Sequence, residues 1–129
     1  MNLEKYSYPL LSISLAVVFL YFGFSQISSP DDWAELVPDF LTGVILTANN
    51  WVIFNGILEL TFGIFLLIGL YSRFSALILG IHLLFIAFSI GFNPVGIRDF
   101  GLAMATIALF LMNKKYGVDF WVANGKSVK

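Results

Sequence analysis

Six side chains in this sequence could bind a polar group or exchange a proton with it: Gln26, Asn55, Glu59, His82, Arg98 and Asp99. Two are amides that both donate and accept, one is an imidazole, two are carboxyls and one is a fixed guanidinium. Glu59 stands out because the stretch around it, "FNGILELTFGIFLLIGL" (residues 54–70), is otherwise almost wholly apolar. A carboxyl and an imidazole at similar depth could hold a polar head and give it or take from it a proton. The same groups could instead tie helices together. For Glu59 a purely structural strut, for His82 plain packing, and for Arg98 with Asp99 a local ion pair stand beside the functional reading.

The elements that must position these residues follow from composition. Of 129 residues, 59% are hydrophobic and only 12% charged, with a mean hydropathy of +0.89. A soluble domain carries about a quarter charged residues, so the long apolar runs indicate a polytopic membrane protein in contact with the lipid bilayer. The net charge of −1 offers no basic surface, so no nucleic-acid partner is expected. The absence of cysteine removes disulfides, thiol relays and thiolate metal sites. One histidine with scattered carboxylates makes a poor metal site, and two-histidine haem ligation within the chain is impossible. No glycine-rich phosphate loop is present. No metal, haem or nucleotide is therefore expected.

Four spans are predicted, at about residues 9–27, 51–70, 74–92 and 99–113, in a single domain covering 1–129. Each must be helical, because lipid offers no partner to free backbone groups. The first is read as an uncleaved helix, being too long for a signal-peptide core. The apolar part of the fourth, residues 100–112, is short for a bilayer, so this helix is expected to begin inside the preceding turn or to sit deeper among its neighbours. The links "YSR" and "NPVGIRD" are short enough to force antiparallel neighbours. The fold class is all-α: a four-transmembrane-helix antiparallel bundle. One or two short amphipathic interfacial helices are expected at about 30–47, in the loop between spans one and two. Pro30 with Asp31 and Asp32 suits a helix start, Pro38 breaks the segment, and Phe40, Leu41, Val44 and Ile45 fall at helical spacing. Trp33 and Trp51 read as interfacial anchors rather than ligand stackers.

Lys5, Arg73, Lys114, Lys115, Lys126 and Lys129 fall on one side of such a bundle, and Arg98 on the other with Asp31, Asp32, Glu35 and Asp39. The positive-inside bias predicts the plasma membrane of a prokaryote, with both termini cytoplasmic and the acidic loop outside. In that frame Gln26 lies near the outer end of span one, and Asn55 lies one turn into span two. Glu59 and His82 are near the midplane, with Arg98 and Asp99 at the outer mouth of span four. Gly56 and Gly63 flank Glu59 on a small-residue face. Ser75, His82 and Ser89 make a polar stripe on span three, and Ser12, Ala16, Phe19, Gly23 and Gln26 make an inward face on span one. Gly101, Ala105 and Ala108 are expected to be the close-packing face of span four, with Asp99 as its N-cap. Together these predict a small polar pocket that opens outward. A midplane carboxylate costs about 2.5–3.5 kcal/mol on insertion scales, so Glu59 must be neutral or paired with His82 or Arg98.

The segments "FLYFGFSQISSPDDW", "FNGILELTFGIFLLIGLYSR", "GIHLLF" and "GIRDFGLAMATIAL", in this order, resemble the DoxX family of small four-span membrane proteins. The matching positions are Gly56, Glu59, Gly63, Arg73, Arg98, Asp99, Gly101 and Leu102. Gln26 stands where many relatives carry a basic residue. The resemblance implies association with membrane redox systems, in the manner of a subunit of thiosulfate:quinone oxidoreductase. A quinone is then a candidate ligand and a redox protein a candidate partner, with homo-oligomerisation open. Three functions remain. The first is an accessory subunit that binds a quinone-like or lipid amphiphile through Gln26, Asn55, Glu59, His82, Arg98 and Asp99, with no catalysis assigned to this chain alone. The others are a small proton-linked transporter or permeation protein, and a non-catalytic scaffold.

Overall fold

A computed structural model describes residues 3–116. Among them lie four long helices: α1 (Ser7–Ser28), α2 (Ala48–Ile68), α3 (Ser72–Ile90) and α4 (Pro94–Tyr116). Each is long and apolar enough to cross a membrane, and there is no strand among the described residues. Lys126 and Lys129, on which part of the charge asymmetry rests, lie outside the described residues.

Local chemistry explains the boundaries. The Thr47 hydroxyl accepts from the Asn50 backbone N–H at 3.2 Å and caps α2. Helix α2 ends where Gly69 takes φ 77°. There Gly69 N–H bonds Leu66 O at 3.3 Å and Leu70 N–H bonds Phe65 O at 3.0 Å, a Schellman closure that satisfies the last carbonyls. Tyr71 follows at φ 52°, so Ser72 and Arg73, expected in the link, already belong to α3. Helix α4 begins earlier than its apolar run. Pro94 occupies the first turn, where its missing N–H is harmless, and Asn93 Oδ1 accepts from Gly96 N–H at 2.9 Å. Asn93, not Asp99, is therefore the N-cap, and Asp99 lies inside the helix.

Helix α1 packs along α2 and α3 along α4, and the two hairpins then join. The α1–α2 crossing is backbone to backbone. A Cβ on Gly23 would stand 2.9 Å from Gly56 O, and one on Gly56 would stand 2.8 Å from Gly23 O. The core beneath comprises Leu15, Ala16, Phe19, Leu66, Ala76, Leu79, Leu83, Ala103 and Leu109. Large apolar side chains such as Tyr21, Phe24, Phe88 and Leu111 are exposed on the outside of the bundle, as a lipid-facing surface requires. The buried face of α4 is Gly96, Asp99, Ala103, Thr106 and Leu109, not the expected Gly101, Ala105 and Ala108. Gly101 is exposed, with open space where its Cβ would be. Two small-residue stripes run along this helix, and the one carrying the polar groups of Asp99 and Thr106 is the one turned inward.

The segment between α1 and α2 forms a strap. Two single 3-10 turns, Pro30–Asp32 and Ala34–Leu36, stand in place of the one or two short amphipathic helices expected there, and residues 39–44 form turns instead of a helix. Trp33 Nε1 donates to Ser25 Oγ at 3.0 Å and Trp51 Nε1 donates to Leu41 O at 2.9 Å. Asn49 Nδ2 donates to Asp31 Oδ1. These bonds draw the strap onto one end of the bundle.

Candidate functional site

The strap roofs a cavity of about 310 Å3 to which all four helices contribute. Gln26, Asn55, Glu59, His82, Arg98 and Asp99 all line it. The remaining walls are mostly apolar: Val18, Phe19 and Phe22 from α1, Val52 and Phe54 from α2, and Leu83, Phe85 and Ile86 from α3. Leu36, Val37, Pro38 and Leu41 of the strap close the top. Trp33 and Trp51 line it as well, so these rings face the cavity in addition to pinning the strap.

Each polar group is delivered by a helix face. On α2 the buried positions are Val52, Gly56, Glu59, Gly63 and Leu66, one stripe at 3.6-residue period. Glu59 is therefore turned inward by the same glycines that admit α1, and it is only 3% exposed. Gln26, 6% exposed, lies one turn beyond Gly23 on the facing stripe of α1. Its Nε2 donates to Glu59 Oε2 at 3.2 Å, and its Oε1 accepts from Asn55 Nδ2 at 2.6 Å. Asn55 Oδ1 in turn meets His82 Nε2 of α3. Glu59, Gln26, Asn55 and His82 thus form one continuous chain of hydrogen bonds across three helices.

Arg98 and Asp99 form a second unit on α4. Arg98 Nε and one terminal nitrogen both approach Asp99 Oδ1, at 3.1 and 3.0 Å. The Asp99 side chain is 8% exposed and that of Arg98 44%, so the carboxylate is sheltered while the guanidinium reaches the rim. There the guanidinium carbon lies 5.1 Å from the centroid of the Phe22 ring, within cation–π range, and Phe22 meets Trp33 edge-on at 5.5 Å. No hydrogen bond joins Arg98 directly to Glu59 among the described residues; amides, not a guanidinium, partner Glu59.

A second set of polar groups lies at the opposite end of the bundle. Tyr8 OH and Ser72 Oγ share a hydrogen bond of 2.8 Å, and Ser12 Oγ donates to Leu66 O at 3.4 Å. Ser75 Oγ is buried without a partner among the described residues. Tyr8, Ser72 and Thr106 escaped the sequence reading; their small polar groups sit in apolar stretches, and only packing shows that they turn inward. The Leu36–Leu41 wall also escaped it, because nothing local in "ELVPDFL" says that the strap folds back over the bundle. Among the described residues no three His, Cys, Asp or Glu side chains cluster as metal ligands would.

The family model of DoxX matches residues 10–91, well over half of the chain. The matched part runs from α1 through α3 and contains Gln26, Asn55, Glu59 and His82; Arg98 and Asp99 lie beyond it. No curated protein and no solved structure matches the chain significantly.

Proposed function

Since the chain belongs to the DoxX family, we propose that its strap-covered cavity takes the polar head of a small amphiphile, quinone-like or lipid. The chain would serve as an accessory subunit of a membrane redox system. The observation that carries this reading is the convergence of Gln26, Asn55, Glu59 and His82 on a single cavity whose other walls are largely apolar. Small-molecule sites have this make-up: apolar walls and a few convergent polar groups. At about 310 Å3 the space is at the lower end of ligand pockets, enough for a ring-sized head and too little for a whole two-chain lipid. Phe54 and Phe85 line the cavity and are also 52% and 60% exposed on the bundle's flank. A hydrocarbon tail would leave the cavity along these two rings. The redox association rests on the family resemblance alone, and no catalytic step is assigned to this chain.

By the charge asymmetry, the strap faces the outside of a prokaryotic plasma membrane and the termini face the cytoplasm. A second reading, proton-linked permeation, draws support from the hydroxyls of Tyr8, Ser12, Ser72 and Ser75 at the far end. The apolar layer of Leu15, Phe19 and Leu79 between the two polar sets weighs against it; proton flux into liposomes would revive it.

The test is mass spectrometry of what co-purifies with wild type and with Glu59→Gln, extracted from native membranes in mild detergent and stripped of bulk lipid. A defined amphiphile retained by wild type and depleted in the variant is the expected result. Bulk lipid alone in both would overturn the reading in favour of a scaffold.

A further inference from the structure

The hydrogen-bond chain fixes more than the shape of the cavity. An amide oxygen only accepts and an amide nitrogen only donates, so a run of two amides has a direction. Gln26 gives its nitrogen to Glu59 and its oxygen to Asn55. Asn55 has therefore turned its nitrogen to Gln26, and its oxygen is left facing His82 Nε2. An oxygen cannot donate, so Nε2 must carry the hydrogen.

A neutral imidazole carries one N–H, and the group against this ring is the Asn55 amide, with no acid directly bonded to it to favour a charged ring. Nδ1 is then a bare lone pair. No bond to Nδ1 is formed among the described residues, and His82 lines the cavity. The direction follows from Glu59 as a carboxylate, which can only accept and so takes the Gln26 nitrogen; a protonated Glu59 would be able to donate to the Gln26 oxygen and turn both amides round. The other charged groups at the cavity, Arg98 and Asp99 of α4, are occupied with each other.

We infer that the cavity selects an amphiphile whose head donates a hydrogen bond, as a phenol, hydroxyl or N–H does, and that His82 Nδ1 is the atom that receives it. This rests on the amphiphile reading above and narrows its ligand class. A head with only carbonyl oxygens would set an acceptor against an acceptor at this position. His82 is the specificity-determining residue, and Gln26 and Asn55 are positioning residues that hold its tautomer.

The full chain contains a single histidine. Labelled with 15N-histidine and purified through a tag free of histidine, it therefore gives one pair of ring nitrogen resonances, in which protonated and bare nitrogens are well separated. The expected spectrum shows Nε2 protonated and Nδ1 bare; a ring protonated at Nδ1 overturns the inference before any ligand is added. The probes are 4-decylphenol, its methyl ether and decylamine, titrated while the Nδ1 resonance is followed. The phenol is expected to move Nδ1 and to bind about tenfold more tightly than the ether, the scale of one hydrogen bond withheld from a sheltered acceptor. Tighter binding of the amine than of the phenol also supports a donor head and assigns it to N–H chemistry. Equal binding of phenol and ether overturns the inference and leaves the amphiphile reading standing. No binding of any probe overturns both.

Discussion

Gln26 reaches Glu59 at 3.2 Å one turn away from the point where Gly23 and Gly56 bring two backbones into contact. The distance that a glutamine amide can bridge between helices is set by that crossing, so the polar chain and the glycine contact are one structural unit.

Alanine at either glycine should break this unit. A methyl group at Gly23 or Gly56 meets a backbone oxygen at 2.9 or 2.8 Å, and backbone cannot move aside as a flexible side chain does. Gly56→Ala is expected to cost about 1–3 kcal/mol. Gly101→Ala, where the space is open, should be neutral or slightly stabilising, since alanine is the better helix former. Thermal unfolding of the two variants in detergent, side by side, checks the contrast. Equal losses would show that α4 packs by the stripe containing Gly101.

Within the amide chain, Gln26→Leu should destabilise more than Glu59→Gln. The leucine takes the Gln26 donor from buried Glu59, at about 1–3 kcal/mol for a stranded buried group, and removes the acceptor of the half-buried Asn55 Nδ2 as well. Gln at position 59 still offers an oxygen to Gln26, so a loss under about 1 kcal/mol is expected. Unfolding midpoints in one detergent would rank the two; the reverse order would mean that Gln26 does not hold Glu59 in solution.

At the far end, Ser75→Ala should leave stability unchanged or raise it by about 1 kcal/mol, because it removes a buried hydroxyl that has no partner. Ser72→Ala, which deletes the partner of Tyr8 OH, should lower it by about 1 kcal/mol. If Ser75→Ala destabilises clearly, its hydroxyl has a partner, such as a bound water, that matters.

The strap is held by two indole N–H groups. Trp33→Phe and Trp51→Phe keep an aromatic ring and lose the donors to Ser25 Oγ and Leu41 O, each bond contributing about 1 kcal/mol. Limited proteolysis at residues 39–46 is expected to quicken in both variants and most in the double variant. Unchanged cleavage would mean that apolar packing alone secures the strap.

Sidedness is open to a direct check because the chain has no cysteine. A single Asp39→Cys, at an exposed strap position, should react with a membrane-impermeant maleimide on intact cells. Labelling only after lysis would reverse the proposed orientation.

Much of this arrangement is legible in the residues. The inward faces of α1 and α2 follow from Ser12, Ala16, Gly23 and Gln26 and from Gly56, Glu59 and Gly63, because small and polar groups at helical spacing have nowhere favourable to go but inward. The inward face of α4 is not legible in this way, because that helix carries two stripes of small residues. Periodicity alone does not choose between Gly101 and Ala103; the burial of Asp99 does. The shortness of the apolar run of α4 already calls for an earlier start, but Arg98 and Asp99 interrupt that run and blur the residue at which the helix begins, which is Pro94. Least legible was the strap. "ELVPDFL" gives turns, but its place over Glu59 and His82 is decided by Trp33 and Trp51 finding acceptors eight and ten residues away in the chain.

The division of the bundle into two hairpins bears on how it holds together. Helices α1 and α2 lock through their glycines, α3 and α4 are joined by a three-residue link, and each pair packs mainly within itself. The cavity lies along the seam between them, with Gln26 and Glu59 on one bank and His82 and Asp99 on the other. A molecule lodged there would act as mortar between the two halves, so assembly of the protein would itself register whether that molecule is present in the membrane.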